Sequence, residues 1–162
     1  MPAHHFVWEM VPFALWLATA LLAGFSIHRA SGSRWAGITA AALVVCGGVG
    51  TRGTLWSLNT HGPAAFHVAL LAAALALALS RPAWLHGLRG WGGAVVLGAV
   101  TAVGATDPLV LALGVGPLLL ATSVLWLWRG DASALRLAVV VSSIAVVGAK
   151  VLDQLAQNAS IS

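Results

Sequence analysis

The chain has 162 residues, of which 60% are apolar and 7% charged, with a formal net charge of +4. A water-soluble domain carries about a quarter charged residues, so this chain has too little polar surface to coat a globule and lipid must solvate much of it. The positive balance does not point to nucleic acid, because the basic residues are dispersed in pairs between apolar stretches rather than gathered into a patch.

The start, Met1-Pro2-Ala3-His4-His5-Phe6, lacks the basic region of a signal peptide, so the first apolar run is expected to be retained as a span. Six spans are expected, each near the ~20 residues that cross ~30 Å of hydrocarbon. They cover 8–27, 35–58, 63–79, 88–105, 108–128 and 134–157, and together make one all-α polytopic membrane bundle over residues 1–162. Cys46, the lone cysteine, lies in an apolar run and reads as a small core residue. Asn59-Thr60-His61-Gly62-Pro63 is a breaker cluster expected to separate the second span from the third, and Ser80-Arg81-Pro82 ends the third. The fourth span holds Gly92, Gly93, Gly98 and Gly104, which lower helix propensity. Within it Ala94, Gly98 and Ala102 recur at four-residue spacing, a pattern that lets helices approach closely in lipid. Thr106-Asp107-Pro108 supplies an N-cap with proline at the first helical position. Gly114-Val115-Gly116-Pro117 should kink the fifth span, because Pro117 removes a backbone hydrogen bond.

Six of the eight basic residues fall in alternate gaps: Arg29 and Arg34, Arg81 and Arg89, Arg129 and Arg136. The positive-inside rule makes those gaps cytoplasmic and puts both termini on the outer side. Trp8, Trp35, Trp56, Trp84, Trp91 and Trp128 lie at expected span ends, where an amphipathic ring anchors in the headgroup zone. The Arg-over-Lys bias, with abundant Ala, Leu, Val and Gly, suits a bacterium with a GC-rich genome, and hence a multi-pass protein of the bacterial inner membrane.

Topology leaves Arg52 and Lys150 unexplained. Arg52 would sit about two turns inside the outer end of the second span, where an arginine costs at least ~2.5 kcal/mol unless it snorkels past Trp56 or finds a partner. Asp107 is committed as a cap, so Glu9 and Asp153 are the candidate partners. On the sixth span Ser143, Lys150, Asp153, Gln154 and Gln157 share one helical stripe, expected to look into the bundle or onto a partner protein. Lys150 and Asp153 can pair along that stripe. A similar stripe on the first span, Glu9, Trp16, Thr19, Ala23 and Ser26, could dock on it and bring Glu9, Arg52, Lys150 and Asp153 into one outward-facing charged cluster.

The histidines divide by depth. His4, His5 and His61 belong to the outer face and His67 lies a turn inside it, while His28 and His86 are cytoplasmic. Imidazole suits copper, zinc or iron, so His61 and His67, or His67 with the His4/His5 pair, are candidate metal or haem ligands. A lone His67 could ligate a chlorophyll-type pigment. No HxxxH or HxH pair sits on one helix, and there is no phosphate loop, GxSxG elbow or HExxH. Arg81-Pro82 resembles part of the first motif of six-span lipid phosphatases. That motif's lysine is missing, as are its Ser-Gly-His and distal segments, and the charge rule puts Arg81 on the cytoplasmic side.

Three functions remain. The first is a non-catalytic accessory subunit of a larger inner-membrane complex, packed among other membrane-protein subunits in the bilayer; an energy-transducing complex with haem or pigment is one such host. The second is an enzyme or carrier acting on a lipid or small anion at the outer leaflet through Glu9, Arg52, Lys150 and Asp153. The third is a metal- or haem-handling protein using His61, His67 and the His4/His5 pair.

Overall fold

The computed structural model describes residues 3–49 and 52–159; of residues 3–10, 12, 46–49, 52–62, 82 and 84 it describes the backbone alone. Every regular element among the described residues is helical. In chain order these are α1 (Ala3–Ser31), α2 (Arg34–Val49), α3 (Arg52–Ser80), α4 (Pro82–His86), α5 (Leu88–Gly104), α6 (Pro108–Val110), a π-helical turn (Leu111–Val115), α7 (Gly116–Arg129) and α8 (Ser133–Ala159). Four stretches are long and apolar enough to cross a membrane: Phe13–Ser31, Pro63–Ser80, Pro108–Arg129 and Ser133–Ala159. The apolar helices α2 and α5, of 16 and 17 residues, are shorter, at about 24–26 Å. The chain folds as two compact units, Met1–Leu77 and Ala78–Ser162.

The first unit is organised by a hairpin of α1 and α2. Gly32, in the left-handed region at φ 69°, turns the chain, and its N–H bonds the His28 carbonyl at 2.9 Å. The two helices then run antiparallel at very short range. A Cβ on Gly24 would lie 2.7 Å from the Gly37 carbonyl oxygen, and one on Gly37 would lie 2.7 Å from that of Gly24. Without a strong hydrophobic drive between lipid-solvated helices, such backbone approach is what holds them together.

The boundary between α2 and α3 differs from the sequence expectation. α2 ends at Val49 and α3 begins at Arg52, so Asn59-Thr60-His61-Gly62-Pro63 lies inside a continuous helix. Pro63 removes one intrahelical hydrogen bond, but a single lost bond does not break the helix. Arg52, expected two turns inside the end of the second span, is therefore at the start of α3 instead. The apolar part of α3, Pro63–Ser80, still matches the expected third span.

The second unit is built from α5, the α6–α7 segment and α8, with α4 as a short strap. α5 and α8 run parallel: a Cβ on Gly98 would lie 2.8 Å from Ile144 Cβ, and one on Gly148 would lie 2.6 Å from Ala102 Cβ. Ala94, Gly98 and Ala102 are all buried, so the small-residue line expected to permit close packing does form part of the core. Between α5 and α8 the chain returns through α6, the π turn and α7, and α7 packs along α8. The Asp107 carboxylate accepts the Leu109 N–H at 2.9 Å with Pro108 in the first helical position, which is the expected cap. The expected kink at Pro117 takes the form of the π turn Leu111–Val115, closed by the Gly116 N–H on the Leu111 carbonyl. The wider turn makes room for a proline ring that an α-turn would press against the preceding carbonyl. Buried hydroxyls satisfy themselves on their own helices: Thr101 donates to Leu97 O, Thr122 to Leu118 O and Ser142 to Ala138 O, at 2.7–2.8 Å. At the far end Gly130 (φ 70°) caps α7 by donating to the Trp126 carbonyl.

Candidate functional site

α8 carries the most informative polar surface. Its packed residues are Ala138, Val141, Ser142, Ala145 and Ala149, which share one side of a helix turning 100° per residue. Ser143, Lys150, Asp153, Gln154 and Gln157 are exposed and fall on a flank centred about 120° round from it. The stripe therefore does not look into the unit that contains it. The reason is steric: in an apolar solvent the small side chains of α8 allow the closer approach to α5, so they take the interface. Lys150 and Asp153, three residues apart and both exposed, form no ion pair with each other.

The outward face of α8 changes character along its length. Val139, Val146 and Val147 are exposed and apolar below residue 148; above it the same side is polar. Meanwhile the packed side continues apolar past the level of Ala102 and Gly148, through Leu152 and Ala156, both exposed, while Val151 and Leu155 are exposed on its flank. α5 ends two residues after Ala102 and α8 runs eleven beyond Gly148, leaving an overhang of about 13 Å.

The other members of the expected charged cluster, Glu9 and Arg52, belong to the first unit, whereas Lys150 and Asp153 belong to the second. The side chains of Glu9 and Arg52, and those of His4, His5, His61 and Cys46, lie outside the described residues. Thr19 and Ser26, on the expected α1 stripe, donate to Leu15 O and Leu22 O at 2.8 and 2.7 Å. In the first unit the line of closest approach on α1 runs through Gly24 and His28 instead.

His67 is buried on α3, in line with Ala64 and Leu71. Its Nδ1–H donates to the Pro63 carbonyl at 2.6 Å, and Phe66 meets the ring edge-on at 5.5 Å. That tautomer places the ring's lone pair on Nε2. With α3 continuous, His61 and His67 are six residues apart on one helix, about 9 Å along the axis, not the three or four that lets neighbouring side chains share a ligand. Among the described residues, no group of three His, Cys, Asp or Glu stands close enough to hold a metal ion.

One polar cluster was not anticipated from the sequence. At the turn between α7 and α8, Asp131 accepts the Ser133 backbone N–H at 2.9 Å and the Ser133 hydroxyl as well, while His86 Nε2 of α4 lies 3.6 Å from its other oxygen. The Asp-x-Ser spacing signals the local part of this cap; the reach to His86, 45 positions away, has no local signature. The Ser133 hydroxyl and then its N–H hold the Asp131 carboxyl below its ordinary range, and the charges of His86 and Arg136 act in the same direction. A carboxylate held low adds stability above its unfolded-state pKa, about 3.9, and loses it as the pH falls through the lower folded value. Asp131→Asn is accordingly expected to unfold at a lower temperature than wild type at pH 7, with the gap closing below about pH 4. Thermal unfolding in mild detergent across pH 3–7 (a range set by that carboxylate value) checks this, and a gap that persists unchanged at the acid end would show that the charge of Asp131 is not what stabilises the turn.

Among the described residues, the fold and these surfaces define an all-helical protein with four helices long and apolar enough to span a membrane. No protein-family model, no curated protein and no solved structure matches the chain.

Proposed function

We propose that the chain is a multi-pass protein of the bacterial inner membrane and a non-catalytic accessory subunit of a larger membrane complex. In this reading α2 and α5 cross together with the four longer stretches, giving six passes with both termini outside. The sorting of six arginines to alternate connections supports that orientation, and close backbone packing suits two slightly short helices.

The observation that carries the subunit reading is the end of α8. Its core-facing line does not stop where α5 stops: Leu152 and Ala156 extend it, exposed, with Val151 and Leu155 exposed on the flank away from a polar strip of Lys150, Asp153, Gln154 and Gln157. About twenty residues of α8 suffice to cross the hydrocarbon, so this last segment stands at the outer interface, where lipid tails do not reach and water would meet these aliphatic side chains. A helix of a neighbouring subunit, apolar towards Leu152 and Leu155 and polar towards Lys150 and Asp153, would complete the surface. The enzyme reading needs Glu9, Arg52, Lys150 and Asp153 to converge on a wet pocket, whereas Lys150 and Asp153 are two exposed side chains on one helix.

A photo-crosslinking residue placed at Leu152 or Leu155 in cells tests the proposal. The expected result is a discrete adduct of fixed mass containing a second, different membrane protein, absent when the probe sits at Val139 or Val147. Lys150→Ala should weaken the adduct. An adduct containing only this chain, or labelling indistinguishable from that at Val147, overturns the subunit reading.

A further inference from the structure

The second unit collects its arginines at one end. Because α5 and α8 are parallel and α7 runs back between them, the first turns of α5 and α8 and the last turn of α7 share that end. Arg81 precedes α4, Arg89 opens α5, Arg129 closes α7 and Arg136 lies in the first turn of α8; all four side chains are exposed.

α4 fixes their arrangement. It packs against both α5 and α8, with Leu85 as its buried anchor at 8% exposure, and His86 reaches Asp131 in the α7–α8 turn. The strap thus holds the Arg81–Arg89 segment against the corner that carries Arg129 and Arg136. Asp131 is the one acid in residues 81–136 other than Asp107 at the opposite end, and its oxygens already accept Ser133 and face His86. Four guanidiniums against one engaged carboxylate leave this end strongly cationic. The same end exposes large apolar side chains that water disfavours: Leu88 at 90%, Trp128 at 84%, and Trp91. Guanidiniums interspersed with tryptophans match a surface that meets phosphate above and acyl chains below.

We propose that this end of the second unit is a docking surface for anionic phospholipids, with the headgroup phosphates taken among Arg81, Arg89, Arg129 and Arg136. The inference rests on the membrane reading above and adds lipid selectivity to it. Guanidiniums pair with phosphate oxygens in two-pronged fashion, and a lipid without net negative charge brings a competing cation to the same place. Phosphatidylglycerol is bound in preference to phosphatidylcholine, and binding weakens as salt screens the arginines.

The test uses the full chain in neutral-detergent micelles, doped in parallel with phosphatidylglycerol, with phosphatidylcholine, or given inorganic phosphate alone. Phosphatidylglycerol should raise the unfolding midpoint by several degrees, and phosphatidylcholine and free phosphate should not. Replacing Arg81, Arg89, Arg129 and Arg136 together by Gln should abolish the shift, while Arg29→Gln with Arg34→Gln in the first unit should retain most of it. Should the fourfold variant not fold, the pairs Arg81/Arg89→Gln and Arg129/Arg136→Gln should each cut the shift about in half. An equal response to both lipids, full reproduction by free phosphate, or a shift that survives the arginine variants overturns the proposal. Alkaline carbonate extraction of membranes separates this from the broader reading: a chain released by carbonate overturns membrane insertion itself, and one that stays behind without lipid selectivity overturns the docking surface alone.

Discussion

Gly24→Leu is expected to separate α1 from α2 and to lower the unfolding midpoint of the protein by about 10 °C. The first atom added, Cβ, would sit 2.7 Å from the Gly37 carbonyl oxygen and 2.9 Å from Ala41 Cβ. One of these neighbours is the backbone carbonyl of Gly37 in the first turn of α2, which cannot rotate away as a side chain would, so relief requires the helices to move apart. Overpacking at ordinary core sites costs about 1–3 kcal/mol, and a contact against fixed backbone belongs at the upper end. No substitution of a neighbouring side chain should rescue it. Gly92 provides the control: a Cβ there meets nothing within 4 Å, so Gly92→Ala should stabilise α5 by up to ~1 kcal/mol through helix propensity. Thermal unfolding in mild detergent reads both. A Gly24→Leu variant as stable as wild type would show that the α1–α2 approach is not maintained.

Gly148→Ala should be almost as damaging, yet for a reason that can be undone. Its Cβ would lie 2.6 Å from Ala102 Cβ, a side-chain atom, with Ala102 Cα 4.0 Å away. Moving the methyl from one helix to the other, Gly148→Ala with Ala102→Gly, keeps one Cβ between the backbones. The single variant is expected to lose about 2 kcal/mol, and the swap to return within ~1 kcal/mol of wild type, since the two propensity changes oppose each other. The coupling energy from a double-mutant cycle is the quantity to measure; additive losses would place α5 and α8 in a different register.

These glycine contacts also mark how far the sequence could be read. The small-residue line Ala94-Gly98-Ala102 and the Asp107 cap were legible because each is written in neighbouring residues. The same holds for the apolar limits of α3, the α6–α7 segment and α8, which the structure places at Pro63–Ser80, Pro108–Arg129 and Ser133–Ala159. The α2–α3 boundary was not. Asn59–Pro63 reads locally as a breaker, yet α3 runs through it, because one proline and one glycine cost a helix less than its remaining hydrogen bonds supply. Periodicity gathers Ser143, Lys150, Asp153, Gln154 and Gln157 on one stripe of α8, and within the second unit that stripe is exposed while the small side chains are packed. In lipid, polarity alone does not select the packed face; the size of the side chains does. The His86–Asp131 contact joins elements far apart in the chain, and nothing in either neighbourhood announces the other.

The π turn before Pro117 has a consequence for chain length. In an unbroken α-helix, Leu118 would be rotated about 80° from Val110, and Thr122 about 120°. Both are nevertheless buried, as Val110 is, because the wide turn Leu111–Val115 absorbs one residue and brings them back into line. The α6–α7 segment thus stores a spare residue. Deleting Pro117 should leave an uninterrupted helix with Val110, Leu118 and Thr122 still aligned, whereas removing one residue from the middle of α8 would turn its small-residue line away from α5. Tolerance to a one-residue deletion is therefore concentrated at this turn, and the segment that looks most irregular is the one where chain length is least constrained.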